Sequence, residues 1–464
     1  MEKSLIDLGS KAVEAAIKAR ADQAEALLNR TRHITVTVEK GSVKNAYTVF
    51  DEGLSVRAIS RGSVGFSYAT TLDTGSIAAT AKSAAAQAKA GTPDPDFKSL
   101  PEPKRVPTVK GIYYKKTAEV DSADLLEIAV RIAESQKIDK RVYSVNSAVR
   151  CGWHQCAVVN SLGVECEDIS TLVYAEGEAI TKEKGEMSSS FELKTARNLN
   201  EVDPQKIGRV AANYALKSIH GKKIQTAKLP VVLDSIAASL IFLMSIMPGV
   251  NAENIQYQRS FLCEKLGEKV GSDIFTAADD GTYLGGVGSL TFDAEGTPSR
   301  KTEIVRKGVL ESFIYDSYTA GKEGRESTGN AFRVVSGDMF QNYRGLSVIG
   351  VRNLVIEPGK GTIEDLISKV KNGILIRTTW DRPNIATGEF SGLIAEGYKI
   401  EDGEAKYAIR QTNIGINMID FFQRIVAVAG DSRQFQLPPR GPHCVISPSI
   451  MIEEAMISGA RSEK

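Results

Sequence analysis

The sequence predicts an α+β chain: N-terminal helices packed on antiparallel sheet, then a C-terminal β-rich domain of short strands around one buried helix. Two observations carry this. The apolar period changes from helical spacing to strict alternation at residue 24, and beyond residue 223 glycine repeatedly interrupts short β-branched runs. The polar joint Gly221-Lys222-Lys223 separates the two textures and divides the chain into domains 1–222 and 223–464.

The elements follow in order. Residues 3–20 place Leu5, Leu8, Ala12 and Ala16 on one helical face, with Lys3, Lys11, Glu14 and Lys18 elsewhere. Ile34, Val36 and Val38 alternate with threonines, Lys40-Gly41 turns the chain, Leu54, Val56 and Ala58 alternate again, and Arg61-Gly62 precedes Val64, Phe66 and Tyr68. That pattern is an antiparallel meander. Residues 74–90 are alanine-rich and helical, with Gly91 as their stop. Pro93, Pro95, Pro101, Pro103 and Pro107 then make 91–110 an extended linker between two subdomains of the first domain.

A second stretch repeats this logic. Asp121 and Ser122 cap a helix that turns Leu125, Ile128, Ala129 and Ile132 inward. Strands fill 142–193, with Asn160-Ser161-Leu162-Gly163 as a turn in which Gly163 takes positive φ. Asp203-Pro204 opens a helix that runs to residue 219. In the second domain, Leu229 to Leu233 is a buried strand feeding the apolar helix Ser235–Met247, bounded by Asp234 and Pro248. Short helices near 362–371 and 417–428 interrupt the strands that follow.

Composition excludes several functions. Lys and Arg number 58 against 57 Asp and Glu, so bulk positive charge does not make this a nucleic-acid binder. Five cysteines, an odd number, point to reduced thiols and a cytoplasmic setting instead of a disulfide framework. The start of the chain is charged and amphipathic, which argues against a secretory signal. The apolar helix falls short of the roughly 20 residues of a membrane span.

Chemistry is harder to find. The four histidines, His33, His154, His220 and His443, lie far apart, with no HExxH. Cys151-Gly-Trp-His154-Gln-Cys156 gathers soft ligands, but on a strand the side chains of 151 and 154 face opposite ways. His443-Cys444 pairs a thiol with a base, although adjacent residues rarely face one another, and a buried thiol in the strand 444–446 is the simpler reading. Gly285-Gly286-Val287-Gly288 lacks the lysine and helix of a phosphate loop, and no Gly-x-Ser-x-Gly elbow occurs. Asp279-Asp280 and Asp293-x-Glu295 sit in glycine-flanked loops, where carboxylates either do acid/base work or close turns.

The order of several segments resembles the TldD/PmbA family. These are Asp51-Glu52-Gly53-Leu54-Ser55-Val56-Arg57 with Gly65-Phe66, Asn160-Ser161-Leu162-Gly163-Val164, and Ser260-Phe261-Leu262 before Lys265-Leu266-Gly267-Glu268. Asp279-Asp280-Gly281, Phe292-Asp293-Ala294-Glu295-Gly296-Thr297-Pro298 and Lys307-Gly308-Val309-Leu310 follow, then Ser327-Thr328-Gly329-Asn330-Ala331-Phe332-Arg333 and Phe390-Ser391-Gly392. The resemblance implies a paired protein, a TldD-type subunit with a PmbA (TldE)-type subunit, around an enclosed proteolytic chamber that takes unstructured peptides. In the TldD type a helix carries HExxxH, whose histidines and a C-terminal cysteine resemble zinc ligands and whose glutamate resembles a general base.

Here the corresponding helix is Ser235–Met247, and its nearest aligned stretch, Leu243-Met244-Ser245-Ile246-Met247-Pro248, holds neither His nor Glu. The expectation is therefore a PmbA/TldE-type subunit that binds no metal, with zinc in a TldD-type partner, no catalytic residue of its own, and no membrane or nucleic-acid partner. Cys444 falls near the family's C-terminal cysteine. With it, Asp293, Glu295, Gly329 and Asn330 are the substrate-chamber candidates implied by the resemblance, lining the chamber or shaping the fold. The rival readings are a stand-alone homodimer that binds peptides without cutting them, and thiol hydrolysis through Cys444 with a distant histidine.

Overall fold

The computed structural model describes residues 4–334, 339–436 and 441–459. Its first half is built on one six-stranded antiparallel sheet: β1 (Gln23–Glu39), β2 (Ser42–Ser60), β3 (Ser63–Ala69), β4 (Val142–Asn160), β5 (Glu165–Glu183) and β6 (Glu186–Ala196), in the order β3-β2-β1-β4-β5-β6. Two-residue turns join several neighbours. Lys40-Gly41, Arg61-Gly62 and Lys184-Gly185 all take positive φ, the geometry that matches the twist of flanking strands. At the β4–β5 turn, Asn160 Oδ1 accepts the N–H groups of Leu162 and Val164 at 2.9 and 3.1 Å, and Gly163 has φ 102°. The meander and the second run of strands join edge to edge, because β1 pairs with β4 from Glu25↔Asn160 to Val38↔Ser147.

Four helices cover one face of this sheet. Leu5–Lys18 and Thr74–Ala90 pack on Ala24, Ala26, Leu28, Leu54, Val56 and Val159, while Ser122–Ser135 packs on Ile34, Val36, Val149 and Val173. Pro204–Ser218 packs beside the latter on Ala179. Capping follows the sequence: Asp121 and Asp124 form a reciprocal capping box, and Asp203 accepts the Lys206 N–H at 3.0 Å. Gly91 ends its helix at φ −78°, not in the left-handed region. A Cβ there would lie 2.2 Å from Ser63 Oγ and 3.3 Å from the Gln87 carbonyl, so close packing against β3 favours glycine.

The even-numbered residues of β1 face the helices, so the odd-numbered set, Glu25, Leu27, Asn29, Thr31 and His33, faces the other way. The C-terminal half docks on part of that second face: Leu27, Cys156 and Val158 share a core with Leu290, Phe292 and Ala294. Cys151 packs under the helices and His154 on the far face, as strand alternation requires.

In the C-terminal half, Ala227–Leu233 lies inside a sheet, parallel to Asn372–Thr378 and antiparallel to Ile450–Ser458. A second, mixed sheet contains Ala277–Asp280, Lys301–Arg306, Asn353–Ile356 and Cys444–Ser447. The helix Ser235–Gly249 lies between them, its Ala237, Ile241 and Phe242 in one core with Val231, Ile304, Leu354 and Ile450. It runs past Pro248, since Val250 N–H still reaches Ile246 C=O at 2.9 Å. Two short helices are smaller than expected. Ile363–Ile367 stops at Ser368, and Met418–Gln423 gives way to the strand Ile425–Val428, which the pairing with Ile450–Ile452 holds extended. Among the described residues no helix is long and apolar enough to cross a membrane.

Candidate functional site

The loops that carry the chamber candidates meet the second face of the first sheet. Asp293 is fully buried: its Oδ1 accepts the N–H groups of Glu295 and Thr297 at 2.9 Å each, and its Oδ2 accepts that of Ala331 at 3.0 Å. Glu295, equally buried, pairs with Arg57 of β2 at 2.9 Å and accepts the Ser317 N–H at 2.9 Å. Asn330 donates to Asp279 at 2.6 Å and to the Gly350 carbonyl at 2.8 Å, and accepts from Thr328 at 2.6 Å. Gly329 has φ 78°, and a Cβ there would lie 2.8 Å from the Pro298 carbonyl. In the single chain these residues therefore hold loops together and tie them to β2.

Glu25 lies at the centre of that seam. Its carboxylate pairs with Arg57 at 3.0 Å and with Arg333 of the C-terminal half, and Arg333 also donates to Ser55. Electrostatics follow from enclosure. Burial alone would lower the Arg57 pKa, yet Glu25 and Glu295 outweigh it and hold Arg57 charged. Burial pushes Asp293 up, and the neighbouring Glu295 charge adds to that. Burial also raises Glu295, but Arg57 and the hydrogen bonds from Ser317 reverse the shift. Asp279 is pushed up to about 7 by burial, against the opposing pull of Asn330 and Arg352.

Cys444 is placed elsewhere. It is buried in an apolar cluster with Ile236, Leu240, Phe435, Met339 and Phe340, and burial pushes its thiol up to about 12. The helix residues that share this cluster are Ile236 and Leu240, in the first turns. The stretch to compare with HExxxH is thus Ser235 to Ile241; Leu243–Pro248 lies at the opposite end of the helix. His443 does not act as the neighbouring base. Its Nδ1 meets the Val351 carbonyl at 3.0 Å, its ring abuts Phe332, and burial lowers its pKa to about 4.

Beside the seam, a cleft of about 360 Å³ opens over β1 and β2. Its floor includes Thr31, His33, Thr35 and Val49, and its wall is the segment from Met339 to Arg344. The wall is pinned twice: Asn29 Nδ2 donates to the Gln341 carbonyl at 2.8 Å, and Asp51 accepts from Tyr343 at 3.1 Å and from Arg344 at 2.5 Å. β3 pairs only with Leu54–Ser60, so over Ser42–Gly53 β2 has β1 alone as a strand partner among the described residues. An exposed strand edge beside a polar-floored cleft can take an extended chain by backbone pairing.

Sequence reasoning missed Glu25, Arg57, Arg333 and the cleft wall. Glu25 sits in an alternating strand, where a charged residue reads as solvent-facing; here it is buried, with Arg57 of β2 and Arg333 of the C-terminal half on its carboxylate.

The architecture is thus one long antiparallel sheet joined through buried ion pairs to two sheets that enclose an apolar helix. Family models for PmbA/TldA metallopeptidase domain 1, central domain and C-terminal domain match residues 24–88, 115–219 and 226–459, and the chain belongs to that family. It is 28% identical to an uncharacterized protein of Methanocaldococcus jannaschii over 94% of this chain and 96% of that one. It is 25% identical to the metalloprotease PmbA of Escherichia coli O157:H7, over 92% of each chain. The crystal structure of TldE from Thermococcus kodakarensis superposes with a TM-score of 0.88 at 25% identity, covering 97% of this chain and 99% of that one.

Proposed function

We propose that this chain is the metal-free PmbA/TldE-type subunit of a peptidase that processes unstructured peptides, completing an enclosed chamber with a TldD-type, zinc-bearing partner. The observation that carries the reading is that Cys444 shares one buried cluster with Ile236 and Leu240, from the first turns of the helix Ser235–Gly249. A zinc ion needs about four nitrogen, sulfur or oxygen donors. The thiol faces the Gln434 amide oxygen at 4.0 Å and shares its cluster with Ile236 and Leu240, and Ser235 to Ile241 contains no imidazole or carboxylate. The carboxylate at that end, Asp234, is committed to capping Ile236 N–H at 2.8 Å and to Arg377 at 3.5 Å. These residues do not fit the metal, and nothing in those turns deprotonates water.

What the chain retains suits a binding role: an exposed edge on β2 beside a cleft whose wall is pinned by Asn29 and Asp51. The test is co-expression with a chain that carries HExxxH. The reading predicts a 1:1 complex on size-exclusion chromatography with light scattering. A chain that stays with itself in the presence of that companion overturns the pairing.

A further inference from the structure

Behind the cleft wall lies a second, much smaller chamber of about 20 Å³. Its sides include His154 of β4, Arg197 just after β6, and Arg352, and Met339, Phe340 and Gln341 separate it from the outer cleft. Both guanidiniums are sealed from solvent, and neither forms an ion pair among the described residues. Arg197 spends Nε, Nη1 and Nη2 on the carbonyls of Gly286, Thr171 and Ser289 at 3.0, 2.8 and 2.7 Å, which solvate the cation without neutralising it. Arg352 donates to the Phe292 carbonyl at 2.8 Å and lies over the Phe332 ring at 4.6 Å, while its Nε has no acceptor. His154, stacked on Phe340 at 5.2 Å, leaves Nε2 without a partner.

Two enclosed cations with no bound carboxylate, beside two orphaned nitrogens, are a costly arrangement unless something completes it. Asp168, Asp279 and Asp293 oppose this charge from nearby, but the hydrogen bonds they accept among the described residues come from Ile169, Thr291, Asn330 and backbone N–H groups, not from either guanidinium. Asp279 and Asp293 are themselves raised by burial, and Asp279 Oδ1 meets the backbone of Arg352, not its guanidinium. A void of one probe sphere, about 10–15 Å³, holds a single small species. We propose that the chamber between His154, Arg197 and Arg352 is a binding site for one small monoanion, either a free halide or the carboxylate of a peptide lying in the outer cleft. The two sources share one chemistry and differ in access. A halide needs no change in the wall, whereas a peptide carboxylate enters by displacing Met339–Gln341.

The same electrostatics link the site to protons. His154 is held near 3 by burial and by the two arginines, so an anion beside it favours its protonated form. Binding should therefore tighten as pH falls.

The test uses the full-length wild-type chain, because Arg197→Gln and Arg352→Gln remove groups that also hold loops. Crystals soaked in sodium bromide are expected to show an anomalous peak in the chamber. In solution, peptides with a free C-terminal carboxylate and their C-terminal amides are titrated calorimetrically with and without bromide. If the source is a carboxylate, bromide weakens the free acid at least tenfold and leaves the amide unchanged. If it is a halide, neither peptide competes and the bromide peak persists. A chamber that holds only neutral water after the soak, together with equal binding of acid and amide, overturns the proposal. His154→Gln, which keeps a polar group of similar reach, should weaken the gain in bromide occupancy at acid pH while the chain stays folded, and Asp279 and Asp293 beside Arg352 keep a pH dependence of their own.

Discussion

Glu25 of the first strand and Arg333 of the C-terminal half lie 308 residues apart and form an ion pair that excludes solvent. Arg57 shares the same carboxylate and passes the connection on to Glu295, so two glutamates and two arginines alternate across the junction of the halves. Enclosed charges of this kind bind little net energy when paired, and cost heavily when one partner is lost.

Removing Glu25 strands two buried arginines. Glu25→Ala is expected to destabilise the chain by about 3–5 kcal/mol in urea unfolding. A loss below about 1 kcal/mol, the scale of an exposed pair, would contradict the seam.

Gly329 sits at φ 78° with the Pro298 carbonyl in the path of any side chain. Gly329→Ala should cost about 1–3 kcal/mol, from left-handed backbone strain and the close contact together. The melting temperature reads it, and an unchanged value would show that the loop relaxes freely.

Asp279 titrates near 7 in the folded chain and near 3.8 when free, so the folded state binds the extra proton. Its contribution is fully present below 3.8 and is lost as pH rises through 7. Asp279→Asn should therefore gain on the wild type by more than about 1 kcal/mol between pH 5 and pH 8. A difference independent of pH would show that the carboxyl does not titrate in this range.

The histidines shift in the opposite sense. His154 and His443 are depressed to about 3 and about 4 by burial, so the stability they supply is present above 6.5 and is lost as pH falls through those values. Exposed His220 is raised by hydrogen bonds to Glu183 and Glu186. Imidazole proton resonances should show His220 charging above 6.5 while the two buried rings stay neutral at pH 5. Titration of either buried ring near 6.5 would contradict their enclosure.

Cys444, with its thiol near 12, is expected to resist iodoacetamide at pH 8 in the folded chain and to react once unfolded. The half-buried Cys263 serves as the internal comparison. Rapid native labelling of Cys444 would revive the thiol-hydrolysis reading.

Much of the fold was legible because its signals are local. Lys40-Gly41, Arg61-Gly62, the Asn160–Gly163 turn and the Asp121 cap each fix a short piece of backbone through their own chemistry. Where tertiary pairing decides, local reading fell short: Ile425–Val428 is a strand because Ile450–Ile452 lies beside it. The site was less legible for the same reason. Asp293, Glu295 and Asn330 drew notice as loop polars, but their partners Arg57, Ala331 N–H and Asp279 come from strands and loops far away in sequence. His154, Arg197 and Arg352 carry no spacing signal, since three separate elements bring them to one chamber.

The central claim is that this chain shapes a peptidase chamber without supplying its zinc chemistry. Its most direct test is the zinc content and unstructured-peptide cleavage of the purified chain, alone and mixed with an HExxxH-bearing companion. The account predicts no stoichiometric zinc and no cleavage for the chain alone, with chelator-sensitive cleavage only in the mixture. Zinc-dependent cleavage by the isolated chain would contradict it.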